Sequence, residues 1–300
     1  MPPKRKTKLS SLNISDILHA SPIPSSEGHN IPNSVPTKIS SGFPVLDEVL
    51  LGLHAGELIV IGGRPGMGKT ALALNIATKV GICQDLPVLW FSLEMEADTC
   101  AMRVLSLLSG VSYRTLRSGT AKETEAKDFA TALKTLQSKP FSIESGVKTV
   151  SRISDYALHV EKQHGQLGLI VVDYLQLIDS ERQSTETRAT EIGDIVRKLK
   201  VLAQEKKCPV IVLSQVNRAV DAREDKRPRL TDLRDSGSIE EDADVVLFVY
   251  RESLYRMKGT KQDIAEIMIA KHRYGPRGSV RLLFTEELMR FDTYVDSDES

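Results

Sequence analysis

Cysteine is scarce in this 300-residue chain: Cys83, Cys100 and Cys208 are its three thiols, widely spaced, odd in number and without a Cys-x-x-Cys pair. That spacing argues against a disulfide framework and a thiolate zinc site, and it fits a reducing, cytoplasmic setting. An excess of one charge is also lacking. Forty Lys and Arg balance forty Asp and Glu, so no global field draws the protein to nucleic acid or to a membrane surface. Any DNA contact must come from a local patch. Long apolar runs are missing too. Runs such as Val245–Tyr250 reach about six residues, far short of the roughly 18 that span a bilayer. The basic N-terminus lacks an apolar core segment, so no secretory signal is expected, and no internal repeat is found. What is present, 41% hydrophobic and 27% charged residues, describes a globular protein of one large domain or two small ones, well beyond the size that needs staples to fold.

The first forty residues differ from the rest. The segment 1–8 carries four positive charges, and 21–36 holds four of the thirteen prolines with several Ser and Asn. This reads as a flexible basic arm and linker over 1–36. Between the two stretches, Leu12, Ile14, Ile17 and Leu18 suit one short helix, marginal in water unless it docks on something. At the far end Asp292, Asp296, Asp298 and Glu299 follow Arg290 without a positive charge, giving an acidic tail over 295–300.

Residues 37–294 are regular. Short apolar runs at 57–61, 87–92, 167–172, 209–214 and 244–250 read as strands, with helix-like segments between the earlier ones. In 191–207, Ile192, Ile195, Val196, Leu199, Leu202 and Ala203 recur at three- and four-residue steps, which predicts an amphipathic helix. Asp194 and Lys198 on its outer face are spaced for an ion pair. Strands alternating with helices imply crossover connections, so the expected fold is α/β, a mainly parallel twisted sheet flanked by helices. Runs at 265–270 and 279–284 around a Gly-Pro turn predict a C-terminal β-hairpin extending that sheet.

Gly63-Arg64-Pro65-Gly66-Met67-Gly68-Lys69-Thr70 has the phosphate-loop pattern, with a strand before it and the helix-like TALALNIATKV after it. Glycines let backbone N–H groups close around phosphate oxygens, and the helix N-terminus adds positive potential. Lys69 is placed to reach the β- and γ-phosphates, and the Thr70 hydroxyl to ligate Mg²⁺. The run Leu169–Asp173 is an apolar strand ending in the carboxylate expected to hold the Mg²⁺ shell. Tyr174 follows it, not Glu, so the base that activates water must lie elsewhere. The strand at 88–92 leads to Glu94 at the same expected sheet edge. In open α/β sheets ligands gather at the carboxyl ends of strands, which makes Glu94 the candidate for orienting the attacking water; the competing reading is a solvated loop-start Glu. Gln215 ends a third strand, either as a γ-phosphate sensor or as a plain turn residue. After it, 217–234 is rich in Arg218, Arg223, Lys226, Arg227, Arg229 and Arg234 and diluted by acids. It reads equally as a grip on a phosphate backbone or as a solvated salt-bridged loop. Lys271 and Arg273 sit at the hairpin turn, where cations suit the spread charge of phosphoryl transfer. A ribbon tip does not fold back into its own nucleotide site, so a neighbour's site is the expected target.

In order, GRPGMGKT, FSLEM, IVVDYLQLI, PVIVLSQVNR, DLRDSGSIEEDADVVLFVY and AKHRYGPRG resemble the ATPase domain of the DnaB-type replicative helicases, within the RecA-like superfamily. The resemblance covers residues 37–294. It implies a hexameric ring that moves 5′ to 3′ on single-stranded DNA, with ATP and Mg²⁺ at each subunit interface. It further implies that Glu94 activates water, that Gln215 couples the γ-phosphate to the DNA-contacting loops, and that Lys271 and Arg273 act in trans. The family's DNA-contacting segment falls on Arg234, Asp235, Ser236 and Gly237. A helicase loader and primase are the further partners it implies. The family's N-terminal helical collar, which helps to hold the ring and receives primase, is expected to have no counterpart in the arm, and the Leu12–Leu18 helix is expected to match the family's linker helix. Two other readings use the same residues: a RecA-like recombination or annealing ATPase, and a non-catalytic helicase-accessory subunit.

Overall fold

The computed structural model describes residues 38–181, 187–233, 236–255 and 263–295. The arm with its expected helix, Arg234, Asp235 and the tail beyond 295 lie outside them. Every expected strand forms. In chain order the strands are β1 (Lys38–Ile39), β2 (Leu53–His54), β3 (Leu58–Gly63), β4 (Val88–Ser92), β5 (Phe141–Ser145), β6 (Leu169–Asp173), β7 (Val210–Gln215), β8 (Val245–Arg251), β9 (Ile264–His272), β10 (Gly278–Thr285) and β11 (Arg290–Thr293). Strands β3 to β11 make one nine-stranded sheet in the order β11-β10-β9-β8-β3-β7-β6-β4-β5. The block from β8 to β5 is parallel. The hairpin β9–β10 and then β11 extend it antiparallel past β8.

Why the central strands are almost wholly apolar follows from this layout: helices cover both faces, so both sets of alternating side chains must be buried. Ile59, Ile61, Trp90, Val171, Ile211, Leu213 and Leu247 pack on one face with the helix Lys69–Thr78. Leu58, Val60, Phe91, Val172, Val212 and Phe248 pack on the other with the helices Val150–His164 and Arg188–Lys206. Each such Val, Leu or Ile contributes roughly 1.5–3 kcal/mol by leaving water.

The helix Arg188–Lys206 buries the six residues that its periodicity singles out. Its outer face departs from expectation. Asp194 pairs with Arg197 at 2.6 Å, while Lys198 reaches across to Glu181 at 2.6 Å. A loop carboxylate therefore displaces the intrahelical partner, and hydrogen bonds from Lys198 and from Ser151 hold Glu181 well below the usual carboxylate range. Strands β1, β2, β5 and β11 carry too little apolar pattern to be read in advance; β5 is a half-buried edge strand. No helix among the described residues is long and apolar enough to cross a membrane.

Strand β11 is stapled to the rest by a buried amide. Asn75, on the helix Lys69–Thr78, donates to the carbonyl of Met289 at 3.0 Å and accepts from the N–H of Phe291 at 3.1 Å. Asn75→Ala leaves both of those backbone groups unsatisfied. It is expected to destabilise the fold by about 1–3 kcal/mol, read from urea unfolding midpoints; an unchanged midpoint would remove the staple from the account.

Candidate active site

Parallel pairing puts the carboxyl ends of β3, β4, β6, β7 and β8 on one edge, and register aligns them: Gly63 lies beside Gln215, and Ser92 beside Asp173. The chain leaves β3 through the glycine-rich loop. Gly66 (φ 81°) and Gly68 (φ 100°) take left-handed conformations that suit glycine, and the helix Lys69–Thr78 begins at once. No side chain caps its N-terminus, so its first N–H groups and their partial positive charge are available to an anion.

These segments enclose a cavity of about 620 Å³ lined by Pro65, Gly66, Gly68, Lys69, Thr70, Glu94, Asp173 and Gln215. Gly63, Arg64 and Met67 support the loop from behind. Arg64 turns away to Asp221 at 2.7 Å and to the carbonyl of Val216 at 3.2 Å, and Met67 is buried with its sulfur accepting the N–H of Arg251 at 3.4 Å. Lys69 Nζ donates to the Arg64 carbonyl at 3.3 Å. Burial pushes the Lys69 ammonium down, opposed by the charges of Asp173 and Glu94.

Asp173 is 2% exposed. Burial pushes its carboxyl up to about 6, against a hydrogen bond from Thr70 that favours the ionised form. Its Oδ2 is buried without a hydrogen-bond partner among the described residues. A hydroxyl and an unsatisfied carboxylate oxygen side by side are hard oxygen donors, and they fit a cation such as Mg²⁺. Glu94 is exposed at the cavity mouth. Gln215 is held at the end of β7 by Gln176, which accepts its backbone N–H at 3.4 Å and donates to Ser214 Oγ at 3.0 Å.

Sequence reading missed part of the wall. Arg103, Tyr174, Arg251, Phe284, Glu286 and Met289 also line the cavity. Arg251 ends β8 at the same edge as Asp173 and Gln215, so the strand-end rule reaches it; it donates to the Gly66 carbonyl at 3.1 Å and lies over the Phe284 ring. Arg103 carries no such signal. It comes from the helix Ala97–Ser109, and its Nε is buried without a partner.

The basic loop after β7 is salt-bridged in part. Arg223 pairs with Asp232 at 2.6 Å, Arg227 with Glu266 at 2.9 Å, and Lys226 donates to the Asp221 carbonyl at 2.8 Å. Arg218 and Arg229 are exposed and make no ion pair among the described residues. Arg234 and Asp235 lie outside the described residues. Ser236 and Gly237 open the helix Ser236–Asp242, with Gly237 exposed.

Lys271 and Arg273 stand apart from the cavity. Register pairs Val245 with His272 and Arg251 with Ala265, so the length of β8, roughly 20 Å at strand rise, separates the two cations from the cavity edge. Neither side chain spans that distance. Lys271 donates to the carbonyls of Glu240 and Glu241, and Arg273 to the carbonyl of Glu241 at 2.9 Å and to Asp244 at 3.0 Å. They occupy the C-terminal end of the helix Ser236–Asp242.

Comparison with known proteins agrees with this geometry. The family model described as the DnaB-like helicase C-terminal domain matches residues 38–293. The chain belongs to that family. The replicative DNA helicase DnaB of Pasteurella multocida (strain Pm70) is 40% identical to it over 273 residues, which are 90% of this chain and 57% of that protein. The chain thus spans less than two thirds of that relative. Among solved structures, a chain described as an ATPase domain superposes with a TM-score of 0.85 at 30% identity, over 95% of this chain and 99% of that one. A DnaB-like replicative helicase, described with its interactions with primase, gives 0.83 at 31% identity, over 95% of this chain and 67% of that one. The fold is that of the RecA-like ATPase domains of this family.

Burial of Asp173 at the cavity makes stability depend on pH. Its folded pKa of about 6 lies above the reference 3.8. The stabilisation from the neutral form is complete below the reference value and is lost as pH rises through about 6. Asp173→Asn, which imitates the neutral form, should therefore melt above the parent at neutral pH in a chelator. The gap should close on acidification towards 3.8. Thermal melts across that range check it, and a variant melting below the parent at neutral pH contradicts it.

Proposed function

We propose that the chain is the motor of an ATP-dependent replicative DNA helicase, working in a homo-hexameric ring that translocates 5′ to 3′ on single-stranded DNA and unwinds duplex at a fork. The motor spans 37–294. The observation that carries this reading is the separation just described. One edge of the sheet holds the glycine-rich loop with Lys69, Glu94 and Asp173 around it, and the opposite edge holds two cations of the kind that phosphoryl transfer needs. The two halves complement each other only between copies. Family membership supports the same reading, and so does the 40% identity to a replicative helicase.

Each residue then has a task. Backbone N–H groups from Gly66 to Thr70 and the Lys69 ammonium bind and orient the β- and γ-phosphates of ATP. Thr70 and Asp173 would hold Mg²⁺, which offsets negative charge on the phosphate oxygens. Glu94 orients a water and takes its proton as the water oxygen bonds to the γ-phosphorus and ADP departs. Lys271 and Arg273 of the neighbouring copy stabilise the charge that spreads over the transferring group. Gln215, at the end of the strand that feeds the basic loop, relays the state of the γ-phosphate. Arg218, Arg229 and the segment Arg234–Gly237 hold the DNA backbone, Arg234 by charge and Asp235, Ser236 and Gly237 through N–H groups and a hydroxyl. The protein acts in the cytoplasm, with a loader and primase as partners.

Lys69→Ala and Arg273→Ala proteins are each expected to be inactive in ATP hydrolysis. Mixed, they should partly recover it, because one interface in the mixed ring carries an intact cradle facing an intact Arg273. Phosphate release across mixing ratios measures this; inactivity at every ratio rules out sites shared between copies.

A further inference from the structure

Asp244 immediately precedes β8, and its side chain is fully buried at 0% exposure. Three groups converge on its carboxylate. Oδ2 accepts from Lys200 Nζ at 2.6 Å and from the N–H of Leu58, the first residue of β3, at 2.8 Å. Oδ1 accepts from Arg273 Nη1 at 3.0 Å, and the backbone carbonyl of Asp244 accepts the Arg273 N–H at 2.8 Å. Lys200 is itself fixed by the carbonyl of Gly56 at 2.7 Å. The anchor is therefore rigid: the carboxylate is tied to the start of the strand whose other end becomes the phosphate loop.

The charges decide what this anchor does. Lys200, 15% exposed, already balances the one negative charge of Asp244. Arg273, 39% exposed, is the second cation on the same carboxylate. It gains direction from a charge-assisted bond at 3.0 Å and from the backbone contact beside it. A buried carboxylate that needed only a neutralising partner has one in Lys200. The pairing with Arg273 instead fixes where the guanidinium stands, as catalytic groups require when small misplacement is costly in rate.

We propose that Asp244 is a positioning residue for Arg273, holding the guanidinium poised at the sheet edge for a nucleotide bound by a second copy of this chain. The proposal rests on the shared-site reading above. It assigns to Asp244 no contact with nucleotide.

The full chain is tested as Asp244→Asn, as Lys200→Met, and as the Lys200→Met/Asp244→Asn double variant, which leaves no buried charge unpaired and so protects the fold. The readouts are kcat and KM for ATP with single-stranded DNA, and recovery on mixing with Lys69→Ala protein. Asp244→Asn and the double variant are expected to lose roughly a hundredfold in kcat with KM unchanged. Lys200→Met should retain turnover. Mixed with Lys69→Ala protein, Asp244→Asn should recover as Arg273→Ala does, because its own cradle is intact. The proposal is overturned if Lys200→Met loses as much kcat as Asp244→Asn, or if Asp244→Asn raises turnover. It is overturned too if Asp244→Asn fails to recover in a mixture where Arg273→Ala succeeds. If Arg273→Ala itself never recovers, the shared-site reading falls first and takes this proposal with it.

Discussion

Parallel pairing of six strands dictates nearly everything about this site. It sends the carboxyl ends of β3, β4, β6, β7 and β8 to one edge, so a glycine loop, Glu94, Asp173 and Gln215 gather there although more than 150 residues separate the first from the last. The same rule exiles the hairpin. Because β9 runs back against β8, its end at His272 must lie at the opposite edge, about a strand length away. Lys271 and Arg273 are thereby denied their own cavity by topology, not by side-chain choice.

The electrostatics of the two edges are opposite in kind. At the cavity, groups are left unsatisfied: the helix N-terminus is uncapped, Asp173 Oδ2 and Arg103 Nε lack hydrogen-bond partners among the described residues, and burial depresses Lys69. Such arrangements cost stability and are typical of functional sites. At the far edge the cations are over-provided with partners. Two helix-end carbonyls and a buried carboxylate receive Lys271 and Arg273 and fix where they stand. An incomplete pocket and a pre-formed donor are what a site divided between copies requires.

Much of this was legible in the residues. Apolar runs of five to seven residues with a polar group at the end predicted strands β3, β4, β6, β7 and β8 and placed Glu94, Asp173 and Gln215 beside the phosphate loop. What escaped reading depends on contacts that no local pattern encodes. Arg103 reaches the cavity from a helix face set by tertiary packing. Strand β11 is tied down by Asn75 across more than 200 residues of chain. The Asp194–Lys198 pair gave way to Glu181, a loop residue whose approach spacing rules cannot foresee. In the basic loop, composition alone could not tell Arg223 and Arg227, absorbed by Asp232 and Glu266, from the exposed Arg218 and Arg229.

The central claim is that one copy of this chain holds only half of a working site. Specific ATPase activity, measured while the protein is diluted and its mass distribution followed in the same samples, tests that claim most directly. Turnover per chain should fall in step with the loss of assembled species and vanish for single chains. Turnover per chain that stays constant while the protein becomes fully monomeric would contradict it.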